Sequence, residues 1–183
     1  MAETQKTTEE TAVSKSKAQI VKEAQRIEEA LLYSSKGHFT ASHSWSNFHL
    51  WIGIPTVILS AIAGASALGQ FDIHHIIAGV CSIVVAILTS IMTFLNPNQK
   101  VSAHFAAGNN YDSLMSRVRR FWTIECWQEN SDLVLTQRLE LFCEQRDKLN
   151  QHSPQIPRHA YSKARRGIIE GEAQFAIDSE SKS

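Results

Sequence analysis

Ser82, Thr89, Thr93 and Asn96 fall at offsets that keep one face of a helix, and Ala86 fills the gap between them. No Asp, Glu, Lys or Arg occurs from Ile73 to Gln99 around them. A polar stripe without charge on an apolar helix can serve two ends. Several copies side by side could line a narrow, weakly polar path for water. A single copy could turn each hydroxyl back onto a carbonyl of its own helix, which satisfies it and does nothing more. With no charged ring, strong ion selectivity is not expected.

Other residues with chemical potential are less organised. The chain has no glycine-rich phosphate loop, no HExxH, no GxSxG and no paired acids in a plausible pocket, so it does not read as an enzyme. No cofactor and no metal is expected. His74 and His75 stand beside Asp72, but adjacent side chains diverge and chelate poorly, so an interfacial turn outweighs a metal or pH-sensing role. Cys81, Cys126 and Cys143 are odd in number and form no CxxC, so reduced, packed thiols are expected. Arg158, Lys163, Arg165 and Arg166 form a basic knot in a stretch with two prolines. A loose tail near anionic lipid is one reading of it, and a docking site for a sensor or a phosphate-bearing signal is the other.

The elements that carry these residues follow from where charge is missing. Nothing from Gly37 to Phe71 is charged, and Asp72 stands alone before the second uncharged run. "FHLWIGIPTVILSAIAGASAL", residues 48–68, and "IIAGVCSIVVAILTSIMTFL", residues 76–95, are each long enough to cross a hydrocarbon core of roughly 30 Å. Insertion gains about 0.3 to 0.6 kcal/mol per Leu, Ile, Val or Phe, whereas an Asp at the centre of a helix costs about 2.5 to 3.5 kcal/mol. Asp72 therefore marks the polar turn between two spans. A buried hairpin in a soluble bundle is the alternative, but soluble core helices keep a polar stripe and these two are apolar nearly all round.

Orientation follows from basic residues. The turn has none, while Lys36, Lys100, Arg117, Arg119 and Arg120 flank the spans, which predicts cytoplasmic termini and an external turn. Trp45 and Trp51 suit the inner interface and Phe71 the outer one. Pro55 is expected to kink the first span, which membrane helices tolerate. Small residues recur every fourth position: Gly53, Ala61, Ala65 and Gly69 in the first span, broken only by Val57, and Ala78, Ser82, Ala86 and Ser90 in the second. Such ridges allow close helix approach in lipid, within the hairpin or between chains of a homo-oligomer.

Outside the spans, three helical stripes appear. Ile20, Ala24, Ile27 and Leu31 lead into the membrane. After Asn96-Pro97, where one helix ends and another starts, come Tyr111, Leu114, Val118 and Phe121 or Trp122. Ser131 then caps a helix bearing Leu135, Leu139, Phe142 and Leu149. The fold class is an all-α membrane protein: a two-span hairpin with amphipathic cytoplasmic helices before and after it. The expected divisions are a disordered 1–14, a domain over 15–172 and a disordered 173–183. Within the domain, helices are expected at 16–47, 48–68, 76–95, 98–128 and 132–150. The polar N-terminus lacks the apolar core of a signal peptide, so targeting falls to the spans. With 18 basic and 18 acidic residues the chain is neutral overall, and no direct nucleic-acid binding is expected.

Taken in order, "HFTASHSWSNFHLWIGIP", the hairpin, "FLNPNQKVSAHFAAGNNYDSLMSRVRR" and the leading amphipathic helix resemble the SLATT superfamily, the two-transmembrane effector domains of bacterial conflict systems. The resemblance covers roughly residues 15–172, and its specificity lies in the combination, above all "FLNPNQK" leading into Tyr111 and "RVRR". It implies a pore-forming effector that breaches the inner membrane once a separately encoded sensor, of the nucleotide-signal synthase or reverse transcriptase type, detects infection. A non-conducting anchor for a cytoplasmic partner and a housekeeping channel subunit are the competing readings.

Overall fold

The structure is a computed structural model that describes the backbone of residues 2–68, 72–129 and 131–173, and side chains over 15–68, 74–129 and 131–173. Gly69 and Phe71, the side chain of Asp72 and the tail from residue 174 lie outside the described residues. All elements described are helical. They are α1 (Ala2–Ala67), α2 (Asp72–Leu95), α3 (Pro97–Arg120), a π-helical turn (Phe121–Glu125), α4 (Cys126–Gln128), α5 (Asp132–His152) and α6 (Arg158–Ile169).

Local chemistry explains the breaks. Asn96 takes a positive φ of 43°, which closes α2, and Pro97 opens α3 at a position where its missing N–H is not needed. The Ser131 hydroxyl accepts from the Val134 N–H at 3.5 Å and caps α5. No such signal stands before residue 48, where a boundary was expected, and α1 runs through it without a break. Pro55 is carried inside this helix. Beside it the Thr56 hydroxyl donates to the Ile52 carbonyl at 2.7 Å, and Ser60 donates to Thr56 at 2.9 Å. Such local bonds help membrane helices accommodate proline.

The chain divides into two compact units, one of residues 1–40 with 104–183 and one of residues 41–103. In the first, one apolar core joins Ile20, Ala24, Ile27 and Leu31 of α1 to Tyr111, Leu114, Val118, Phe121 and Cys126, and to Leu135 and Phe142 of α5. Trp122, Leu139 and Leu149 pack on its margin. Phe121 meets Phe142 edge to face, and the Trp122 indole donates to Glu28. The Lys17 ammonium donates to the Glu129 carbonyl at 2.7 Å across 112 residues of sequence.

One element was not anticipated. The basic stretch after the two prolines forms α6, which buries Ala160, Ala164 and Gly167. Its buried face is made of the smallest residues, so it gave no apolar periodicity to read.

Candidate functional site: the membrane hairpin

The second unit holds the two spans, and burial shows which faces they share. On α1 the covered positions are His49, Ile52, Thr56, Leu59, Ala63 and Ser66; on α2 they are Ala78, Cys81, Val85, Leu88, Met92 and Leu95. Both sets alternate by three and four residues, the spacing of a helix-packing seam. At the Lys100 end of the hairpin the Ser42 hydroxyl donates to the Val101 carbonyl at 3.1 Å, and the Lys100 ammonium sits 4.3 Å over the Trp45 ring. Trp45 also meets Phe48 edge to face.

The remaining surface of the hairpin is apolar to a degree no soluble protein would leave in water. Leu50, Trp51, Ile54, Val57, Ile58, Ile62, Ile76, Val80, Ile83, Ile87 and Phe94 are all exposed, and none of the most apolar stretch of either helix is buried within the chain. These helices are not the core of a soluble bundle.

At 100° per residue, the large exposed side chains of α2 fall on one arc, centred near Val80 and Ile87. Ser82, Ala86, Thr89, Thr93 and Asn96 are exposed too, but on the opposite arc, where no large apolar side chain falls. Thr93, on this side, donates to the Thr89 carbonyl at 2.9 Å, and Ser90, at the edge of the lipid arc beside Ile83, donates to Ala86 at 2.7 Å.

The small residues divide. Ala78 lies in the seam, and Gly53 is half-buried with open space where a Cβ would stand. Ala61, Ala65, Ala86 and Ser90 are exposed, so they face away from the seam. Gly69 is outside the described residues. The histidines His74 and His75 begin α2, and no cluster of three or more metal-ligating side chains occurs among the described residues. Arg158, Lys163, Arg165 and Arg166 all lie exposed on α6. The cysteines are free; burial pushes the thiol pKa of Cys126 and Cys143 up, which keeps them protonated and unreactive.

Sequence reasoning missed a polar joint in the first unit. His38 and His104 are buried, with their Nδ1 atoms 3.0 Å apart, and His38 stacks on Tyr111 at a centroid distance of 5.3 Å. One ring must donate and the other accept, so the joint needs at least one neutral imidazole. Burial, and then repulsion from His104, lower the pKa of His38 from 6.5 to about 4. Beside it the Ser35 hydroxyl donates to the Gly108 carbonyl at 3.2 Å, and the Tyr111 hydroxyl donates to Asn150 at 2.8 Å.

Comparison with known families settles what kind of hairpin this is. The family model described as "SMODS and SLOG-associating 2TM effector domain family 4" matches residues 17–180. The chain belongs to this SLATT family. Membership agrees with the two apolar helices: the protein is an all-α, two-transmembrane membrane protein of an effector class, and SLATT domains are not a known enzyme family. No curated protein and no solved structure matches the chain significantly.

Proposed function

We propose that this SLATT protein is a membrane-permeabilising effector of a bacterial defence system. Several hairpins assemble in the inner membrane, and the α2 face bearing Ser82, Thr89, Thr93 and Asn96 lines a water-filled path. Both termini lie in the cytoplasm, and a separately encoded sensor triggers assembly. The observation that carries this reading is the two-sidedness of α2. One exposed arc suits lipid, and the opposite arc is exposed, small and polar. Left in hydrocarbon, such an arc would waste the close approach that small residues permit and the hydrogen bonds that polar ones offer. Neighbouring copies and water supply both. The exposed ridge of Ala61 and Ala65 on α1 gives those copies a second surface.

The inward bonds of Ser90 and Thr93 favour a second reading, in which the hairpin is a non-conducting anchor whose hydroxyls need no water. An acid at Thr89 separates the two. In planar bilayers, Thr89→Asp protein should insert, conduct and shift the reversal potential toward cations, as acidic rings do. Ile87→Asp, on the lipid arc, should impair insertion, since a mid-membrane acid costs several kcal/mol. Conduction by Thr89→Asp with unchanged selectivity would remove this face from the lining.

A further inference from the structure

The first span carries a second arc of small residues, and the handedness of the two helices decides which way it points. Turning 100° per residue from Ala63, the buried centre of the α1 seam, Gly53, Ser60 and Gly64 fall about 60° to 100° ahead of it in the sense of chain growth. Ser60 and Gly64 are exposed, and a Cβ at Gly53 or Gly64 would meet open space. Val57 borders this arc on the side away from the seam. Trp51, Pro55 and Ile62, large and exposed, fall about 80° to 120° behind the seam. The first span is therefore as two-sided as α2.

The two helices share this order. In α2, Ser82, Thr89 and Thr93 also lie ahead of the seam that runs through Val85, and Val80 and Ile87 lie behind it. A right-handed helix turns clockwise as it recedes from the viewer and anticlockwise as it approaches. The spans of the hairpin run antiparallel with their seams facing, so the arcs ahead of the seams turn in opposite senses from opposed starting points. They come out on the same side. Gly53, Ser60 and Gly64 thus share one face of the hairpin with Ser82, Thr89 and Thr93, and the large apolar arcs share the reverse face. The Ser42–Val101 hydrogen bond fixes the register at one end. It sets Ser60 about level with Ser82, and Gly53 about level with Thr89.

The chemistry of the α1 arc suits water. The Ser60 hydroxyl donates to the Thr56 carbonyl at 2.9 Å, as Thr93 donates to Thr89 on the other helix. Each bond spends the single hydroxyl proton and leaves oxygen lone pairs that can accept from water. At the two glycines no side chain stands between the backbone and the space beside it. Seated against a neighbouring helix instead, such an arc would be closed to water.

We propose that the water path has two walls in every copy, with α1 lining it through Gly53, Ser60 and Gly64 beside the polar arc of α2. This rests on the conducting reading of the hairpin and adds a second helix to the lining. Level with Thr89 the α1 wall is the bare backbone of Gly53, so that side chain faces no bulk from its own hairpin.

The test is block of current in planar bilayers by a cationic, membrane-impermeant methanethiosulfonate. Purified full-length protein carries Ser60→Cys, Gly64→Cys, Ile62→Cys or Thr89→Cys, and the native protein, with its own three cysteines, sets the background. Ser60→Cys, Gly64→Cys and Thr89→Cys should each lose half of their current or more on exposure to the reagent. Ile62→Cys, on the reverse face, should respond no more than the native protein. Block of Thr89→Cys with neither Ser60→Cys nor Gly64→Cys affected would overturn the second wall and leave the α2 lining standing. Block of Ile62→Cys equal to that of Ser60→Cys would overturn the assignment of faces. No block at Thr89→Cys either, or no current from the native protein, would overturn the second wall together with the reading on which it rests.

Discussion

The buried pair of His38 and His104 is the residue-scale feature with the clearest consequence. A folded-state pKa of about 4 against 6.5 unfolded means that folding favours the neutral ring of His38. The group's contribution to stability is then complete above pH 6.5 and is lost as the pH falls from 6.5 toward 4, up to roughly 3 kcal/mol. The rings of His104 and Tyr111 face it, at centroid distances of 5.2 and 5.3 Å. Thermal melts of detergent-solubilised protein between pH 7.5 and 4.5 check this. The native protein should lose stability faster than His38→Gln over that range, because carboxylate titration is common to both. Equal slopes would show that the pair does not titrate in this window. Nothing in the sequence announced the pair. Its members are separated by 66 residues, and each stood among eight histidines with no spacing to mark it.

At the scale of elements, the close approach of α1 and α3 rests on a glycine. A Cβ at Gly108 would stand 2.8 Å from the Phe39 ring, which itself meets Phe105 edge to face. Gly108→Ala should therefore destabilise the protein by about 1 to 3 kcal/mol through overpacking. Gly53→Ala meets open space and should be neutral, or stabilising by up to about 1 kcal/mol from helix propensity. Thermal unfolding of both variants decides it, and a Gly108→Ala protein as stable as the native one would contradict the packing. Apolar stripes such as Ile20, Ala24, Ile27 and Leu31 were legible because burial of large side chains repeats with the helical period. The cap at Ser131 and the break at Asn96-Pro97 were legible because single residues fix those backbone angles. The π-helical turn and α6 were not. The first has no distinctive composition, and the second hides its inner face in Ala160, Ala164 and Gly167.

For the whole molecule, the decisive signal was the segregation of charge, since a neutral total of 18 and 18 conceals two long uncharged runs. That alone fixed the membrane hairpin and the fold class, which the family match confirms. The polar stripe of α2 was visible as spacing, but its position opposite the lipid-facing arc needed the structure, because only burial shows where the seam runs. Permeabilisation is the claim on which the account turns, and the most direct measurement is membrane potential in living cells. Bacteria expressing this chain with its neighbouring genes should depolarise within minutes of the trigger, as read by a potential-sensitive dye. Cells expressing Ala86→Leu, whose added bulk blocks close approach on the polar arc, should insert the protein and hold their potential. Depolarisation by the native protein and not by the variant is the result the account predicts. A native protein that is inserted, triggered and leaves the potential unchanged would contradict it.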